Sequence, residues 1–182
     1  LASYFCELTY FLTPTAENAE VFLRLLCNFL YFLANDKRTP AFLKPVYELR
    51  AMSESGFTPN LVGCESCGIY EDDLMYFYPQ QGAILCRRCM GQQDMVKQEQ
   101  ANFQLTRPIL AAMRHILFSE MNKLFQFKVN SETLRYLDSI SEYYVKLYLE
   151  RTLNTLEFYH SLIALPLYPQ KGKSKTDDSY HK

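Results

Sequence analysis

Residues Cys64 to Cys89 read CESCGIYEDDLMYFYPQQGAILCRRC, two Cys-x-x-Cys pairs separated by eighteen residues. Each pair can bend so that both sulfurs face one point, and a hairpin between the pairs sets the second opposite the first. The spacing predicts that Cys64, Cys67, Cys86 and Cys89 are the ligands of one structural zinc ion. A soft fourfold sulfur shell also accepts a single iron, but zinc is the expected metal. Binding a structural zinc releases roughly 10–16 kcal/mol at neutral pH, as much as the roughly 5–15 kcal/mol that stabilises a whole domain. A stretch of about thirty residues has almost no core of its own, so the metal is expected to fold it.

Three other uses of these thiols fit less well. A disulfide framework belongs to small secreted chains, whereas no secretory segment is visible here and apolar content is high. A redox Cys-x-x-Cys needs a parallel βαβ pattern, and these surroundings read as helical with a second matching pair. A zinc hydrolase or deaminase needs an open ligand position and a nearby acid–base group. Four sulfurs close the shell and no His-x-Glu accompanies them. Neither a phosphate-binding glycine loop nor a nucleophile elbow is found, and His115, His160 and His181 lack partners at a suggestive spacing. No enzyme active site is expected, and no small-molecule substrate.

Outward from the cysteines the pattern is helical. ASYFCELTYFL predicts a helix ending near Thr13-Pro14, where Thr13 caps a second helix reaching about Asp36. Thr39-Pro40 opens a third, bent or interrupted at Pro45 and closed by Gly56 as a left-handed cap. Short strands are expected at Leu74–Tyr78 and Ala83–Leu85. Thr106 with Pro108 starts a helix bearing Ile109, Met113 and Ile116, and Ser131 starts another. Ser139-Ile-Ser-Glu142 matches a capping box and predicts a fresh start, with an apolar stripe through Val145, Leu149, Leu153, Leu156 and Tyr159. Cys6 and Cys27, among large apolar neighbours, are expected to be buried.

The expected fold is therefore mainly α, a helical bundle with an inserted four-cysteine zinc finger that contains a short β-hairpin. The bundle occupies residues 1–60 and 94–169, the finger 61–93, and a polar, disordered tail 170–182. The most apolar stretch is interrupted by Glu20, Arg24 and Asn28 on one helical face, so no membrane span is expected. Leu1 begins mid-pattern, and an upstream segment is expected.

Ser55-Gly-Phe-Thr-Pro59, Cys64-x-x-Cys67-Gly68 and Gln81-Gly82-x-x-x-Cys86-x-x-Cys89 resemble the central signature of the RecO family of bacterial recombination mediators. The resemblance covers roughly residues 1–163, with only the cysteine region specific. It implies a helical, zinc-finger portion that follows an amino-terminal OB-fold and has no catalytic site. It further implies binding to single- and double-stranded DNA, strand annealing, and work with RecR in loading RecA onto strands covered by single-strand-binding protein. The acidic tail of that protein can dock on the helical portion. A cytoplasmic, nucleoid-associated location follows. The first residues already read as helix, so no OB-fold is expected within this sequence, and Gln81-Gly82 stands where many relatives carry two glycines.

A formal net charge of −1 leaves any nucleic-acid contact to local patches. Arg87 and Arg88, inside the second cysteine pair, are expected to point away from the metal and contact phosphates, joined by Lys97, Arg107 and Arg114. The alternative is a zinc-stabilised protein-docking module without DNA binding. Its groove would lie along Phe22, Leu26, Phe29 and Leu33, or along Tyr143, Tyr144 and Tyr159.

Overall fold

The computed structural model describes residues 1–13, 19–92 and 101–164. Its elements run α1 (Ala2–Leu12), α2 (Ala19–Ala34), α3 (Pro40–Glu54), β1 (Asn60–Cys64), β2 (Leu74–Tyr78), β3 (Ala83–Cys86), α4 (Arg87–Met90), β4 (Phe103–Thr106), α5 (Arg107–Phe118), α6 (Ser131–Leu149) and α7 (Asn154–Ala164). The N-terminal half of α2's expected start, with Pro14, lies outside the described residues, as does the tail from residue 170. No helix among the described residues is long and apolar enough to cross a membrane.

Helix α3 is the axis of the fold. It is buried along almost its whole length, from Phe42 to Met52, because α6, α2, α5 and α1 all pack on it. Thr39 caps it by accepting from Phe42 N, and Pro40 occupies the first turn. At the far end Gly56, at φ +90°, donates to Ser53 O while Phe57 donates to Met52 O, a Schellman closure. Pro45 does not interrupt the helix; the buried ring packs in the core, and surrounding contacts offset the lost backbone bond.

The expected helical bundle with a hairpin finger is corrected by a four-stranded mixed sheet of order β1-β3-β2-β4. The hairpin β2–β3 is there, pairing Met75 with Cys86 and Tyr78 with Ala83. To it β1 adds in parallel on the β3 side, and β4 adds antiparallel on the β2 side, pairing Leu74 with Thr106 and Phe77 with Phe103. Both added strands are short: β4 alternates apolar with polar residues over only four positions, and β1 does not alternate. They become strands because β2 and β3 offer edges that must be paired once buried. Leu61, Met75, Phe77, Ile84 and Leu105 are fully buried in the same core as the helices, with α5 lying against β1, β2 and β4. The molecule is an α and β structure with one continuous core.

A second correction concerns α6, which runs unbroken from Ser131 to Leu149. Its cap is Asn130, whose Oδ1 accepts from Thr133 N at 2.7 Å. The expected start at Ser139 fails because its polar residues are otherwise engaged. Ser139 Oγ donates to Tyr136 O at 2.8 Å within the helix, and Glu142 pairs with Lys44 at 2.8 Å; the neighbouring Ser141 Oγ donates to Glu48 Oε2 at 2.5 Å. The chain breaks instead at Glu150, left-handed at φ 48°, so the stripe expected on one helix is shared between α6 and α7.

Candidate metal centre

The four cysteines sit where the sheet ends. Cys64 closes β1, Cys86 closes β3 and caps α4, Cys89 lies within α4, and Cys67 projects from the turn after β1. Cys64, Cys86 and Cys89 are buried and Cys67 is exposed. The parallel pairing of β1 with β3 is what sets the two cysteine turns side by side. The first turn is tied by Cys64 N donating to Ile69 O and Gly68 N donating to Cys64 O, both at 2.8 Å. It is so tight that a Cβ on Gly63 would lie 3.0 Å from Gly68 O and 3.1 Å from Ile69 O. Gly68 takes φ +74° to complete it.

All four Sγ atoms lie within 4.8 Å of one another, and the Cys67–Cys86 pair is 3.7 Å apart. A tetrahedron with metal–sulfur bonds of about 2.3 Å has edges of about 3.8 Å, so the sulfurs stand at ligand spacing, well beyond a disulfide. The Ile69 N–H directed at Cys67 pulls that thiol down to about 6. Burial pushes Cys86 up to about 12, because a lone thiolate there would be poorly solvated. A bound cation removes that penalty, and the residues present can hold a metal ion. With four protein sulfurs such a site leaves no position for a substrate.

The basic residues singled out in the sequence have different surroundings. Arg87 is exposed. Arg88 is exposed too, beside Cys67 and Cys89, whose sulfurs hold its pKa above the ordinary value. Arg107 is paired with Glu71 at 3.3 Å and Asp73 at 2.8 Å. Arg114 reaches from α5 to the cysteine turn, with Nε 2.8 Å from Leu61 O, Nη2 3.1 Å from Val62 O and a further bond to Tyr70 O. Lys97 lies outside the described residues. Cys6 and Cys27 are exposed on α1 and α2 rather than buried, since each helix buries a face that excludes them. Of the expected groove residues, Phe22, Phe29 and Tyr144 belong to the core. Shallow cavities lie instead along α6 and α7, one of about 170 Å³ lined by Lys146, Arg151, Leu153, Leu156 and His160.

A polar cluster that the sequence reading missed joins α3 to α6. The Lys44 ammonium, buried, lies 3.1 Å from Glu48 and 2.8 Å from both Asp138 and Glu142. Glu48, wholly buried, also accepts from Tyr4 Oη at 2.6 Å and from Ser141. The visible signal was a Lys–Glu pair four residues apart within an otherwise apolar helix. Lys44 and Glu48 are sealed in the core and tie α3 to α6, while Asp138 and Glu142 reach the surface and line a cavity along α6.

These features define a class: a helical protein with a small mixed sheet whose rim carries four clustered thiols that could hold a metal ion. The family model for the carboxy-terminal region of recombination protein O matches residues 1–157, and the chain belongs to that family. It is similar to the DNA repair protein RecO of Acetivibrio thermocellus, 30% identical over 146 residues, covering 80% of this chain and 56% of the relative. The same-named proteins of Symbiobacterium thermophilum and Alkaliphilus metalliredigens are 26% and 23% identical, covering 88% and 86% of this chain and 62% and 61% of theirs. The chain thus spans about three-fifths of the length of these relatives. No solved structure matches it.

Proposed function

We propose that the chain is the carboxy-terminal portion of a non-enzymatic DNA repair mediator in which Cys64, Cys67, Cys86 and Cys89 hold one structural zinc. The observation that carries this reading is the closed four-sulfur cluster at ligand spacing in a chain of the RecO family. Zinc supplies a cross-link that fixes the ends of β1 and β3 and the start of α4. The protein's own groups set that site: Ile69 N–H and the Arg88 charge favour the thiolates, and Gly63 and Gly68 let the first turn close. The intact protein binds single- and double-stranded DNA, anneals strands, and acts with RecR and with the tail of single-strand-binding protein in loading RecA.

Of the cations singled out in the sequence and described in the structure, Arg87, Arg88 and Arg107 are left partly open to phosphate, while Arg114 is occupied by backbone carbonyls. Two or three phosphate contacts give a logarithmic salt slope of about 2–3 on duplex DNA. The chain alone therefore binds DNA weakly and loses that binding near physiological salt. Fluorescence anisotropy with single- and double-stranded oligonucleotides across a salt series tests this. A shallow slope that falls further in Arg87→Ala supports the reading; affinity equal to that of an intact family member, or none at low salt, refutes it. Lys146 and Arg151, in a cavity that Glu157 also lines, favour a second role, the docking of an acidic tail peptide. Peptide binding without any DNA binding would make docking the whole function.

A further inference from the structure

Arg114 is the one basic residue of α5 that leaves the helix to grip another part of the fold by three carbonyls. Those carbonyls belong to Leu61, Val62 and Tyr70, which stand at the two feet of the loop that contains Cys64 and Cys67. The guanidinium also lies over the Tyr70 ring, 3.9 Å from its centroid, and 3.9 Å from a Glu71 oxygen. Its side chain is only 11% exposed, although the Tyr70 ring it carries is 60% exposed. The loop is thus closed at its base by Arg114 and at its tip by whatever joins Cys64 and Cys67 to the second cysteine pair.

We propose that Arg114 is a positioning residue for the metal site, holding the first cysteine turn in its ligating shape so that metal and guanidinium stabilise one another. The inference rests on the metal reading above. Two closures of one loop share the cost of ordering it, so either one, once made, makes the other more favourable. Reciprocity is required: if Arg114 strengthens metal binding, the metal must protect the Arg114 clamp by the same factor. The requirement is for arginine, since one planar fork must serve carbonyls on two sides of the loop and stack on a ring. A lysine at this position keeps the charge and loses that geometry.

The test is zinc transfer from the folded chain to a chromophoric chelator, read as a rate. Arg114→Lys and Arg114→Ala are compared with Arg50→Lys. Arg50 grips the other end of α5, through the carbonyls of Ile116, Leu117 and Ser119, and touches nothing in the cysteine loop. Both Arg114 variants should release zinc about 10- to 100-fold faster than the unaltered chain, the usual scale for a group that orients a metal ligand. Arg50→Lys should release it at the unaltered rate. Unchanged release from the Arg114 variants overturns the proposal, and so does equal acceleration by Arg50→Lys, which would mark general loosening. The unaltered chain gives a second reading that needs no variant. Phenylglyoxal should modify Arg114 slowly with zinc bound and faster after chelation, with Arg50, 14% exposed, as the unchanging internal standard. Equal labelling in both states overturns the coupling. Failure of the unaltered chain to bind any zinc removes the metal reading itself, a result distinct from either of these.

Discussion

Replacing Lys44 with methionine removes the buried ammonium that three carboxylates share, and its effect on stability should depend on pH with a definite sign. Burial alone would lower the Lys44 pKa, but the Glu48 and Asp138 carboxylates outweigh it and hold the ammonium above its ordinary value. Burial also pushes Glu48 up to about 7, with Lys44, Ser141 and Tyr4 opposing. At about 1.4 kcal/mol per unit, the rise from 4.5 to about 7 makes ionised Glu48 cost about 3 kcal/mol in the fold. A carboxyl raised in the folded state contributes most below its unfolded pKa, and that contribution is lost as pH climbs through the folded value. Without Lys44 the folded value rises further, so the loss grows towards alkaline pH. Removing one partner of a buried pair costs about 3–5 kcal/mol, a large part of a domain's stability of about 5–15 kcal/mol. Glu142 keeps Lys146 at 2.7 Å and His160 at 3.0 Å, so Glu48 is the group left exposed to the change.

Urea unfolding followed by far-ultraviolet circular dichroism, at pH 5.5 and pH 8.5, gives the difference between Lys44→Met and the unaltered chain. Effects common to both, including those of the metal site, cancel in that difference. The deficit should approach about 3–5 kcal/mol at pH 8.5 and shrink to roughly 1–2 kcal/mol at pH 5.5, where Glu48 carries its proton. Lys44→Met with Glu48→Gln should recover most of the alkaline loss, because a neutral amide can still meet Tyr4 and Ser141. A deficit that is equal at both pH values, or greater in acid, would refute the assignment of Glu48 as the strained group.

Gly63→Ala places a Cβ 3.0 Å from a backbone oxygen, and should destabilise the metal-bound chain by about 1–3 kcal/mol in a thermal melt while leaving the chelated form little changed. Asn130→Ala removes the cap of α6 and should cost about 1 kcal/mol by urea unfolding, with Asn130→Asp close to neutral. Chelation should raise amide exchange across residues 60–90 and spare the middle of α3, since the sulfurs tie the strand ends while α3 rests on helix packing.

The cysteine spacing carried the site, because tetrahedral coordination by two short turns fixes which residues must meet, whatever surrounds them. The same spacing said nothing of the sheet. Phe103–Thr106 alternates apolar with polar residues for only four positions between a polar stretch and a helix start, and it becomes a strand by pairing with β2. The reading of α6 failed for a related reason. Ser139-Ile-Ser-Glu142 has the residues of a capping box, but Ser141 and Glu142 face Lys44 and Glu48 across the core. Local chemistry and tertiary chemistry compete for the same side chains there, and the buried charges win. Arg114 shows the limit from the other side: its type and charge suggested phosphate, while its carbonyl partners lie more than forty residues away in sequence.

The most direct measurement is the metal content of the reduced, purified chain, taken together with a count of its reactive thiols. The account predicts one zinc per chain, with Cys6 and Cys27 open to a thiol reagent and the other four cysteines released only on chelation. A chain free of stoichiometric metal, with six thiols reacting alike and the amides of residues 60–90 still protected, would contradict it.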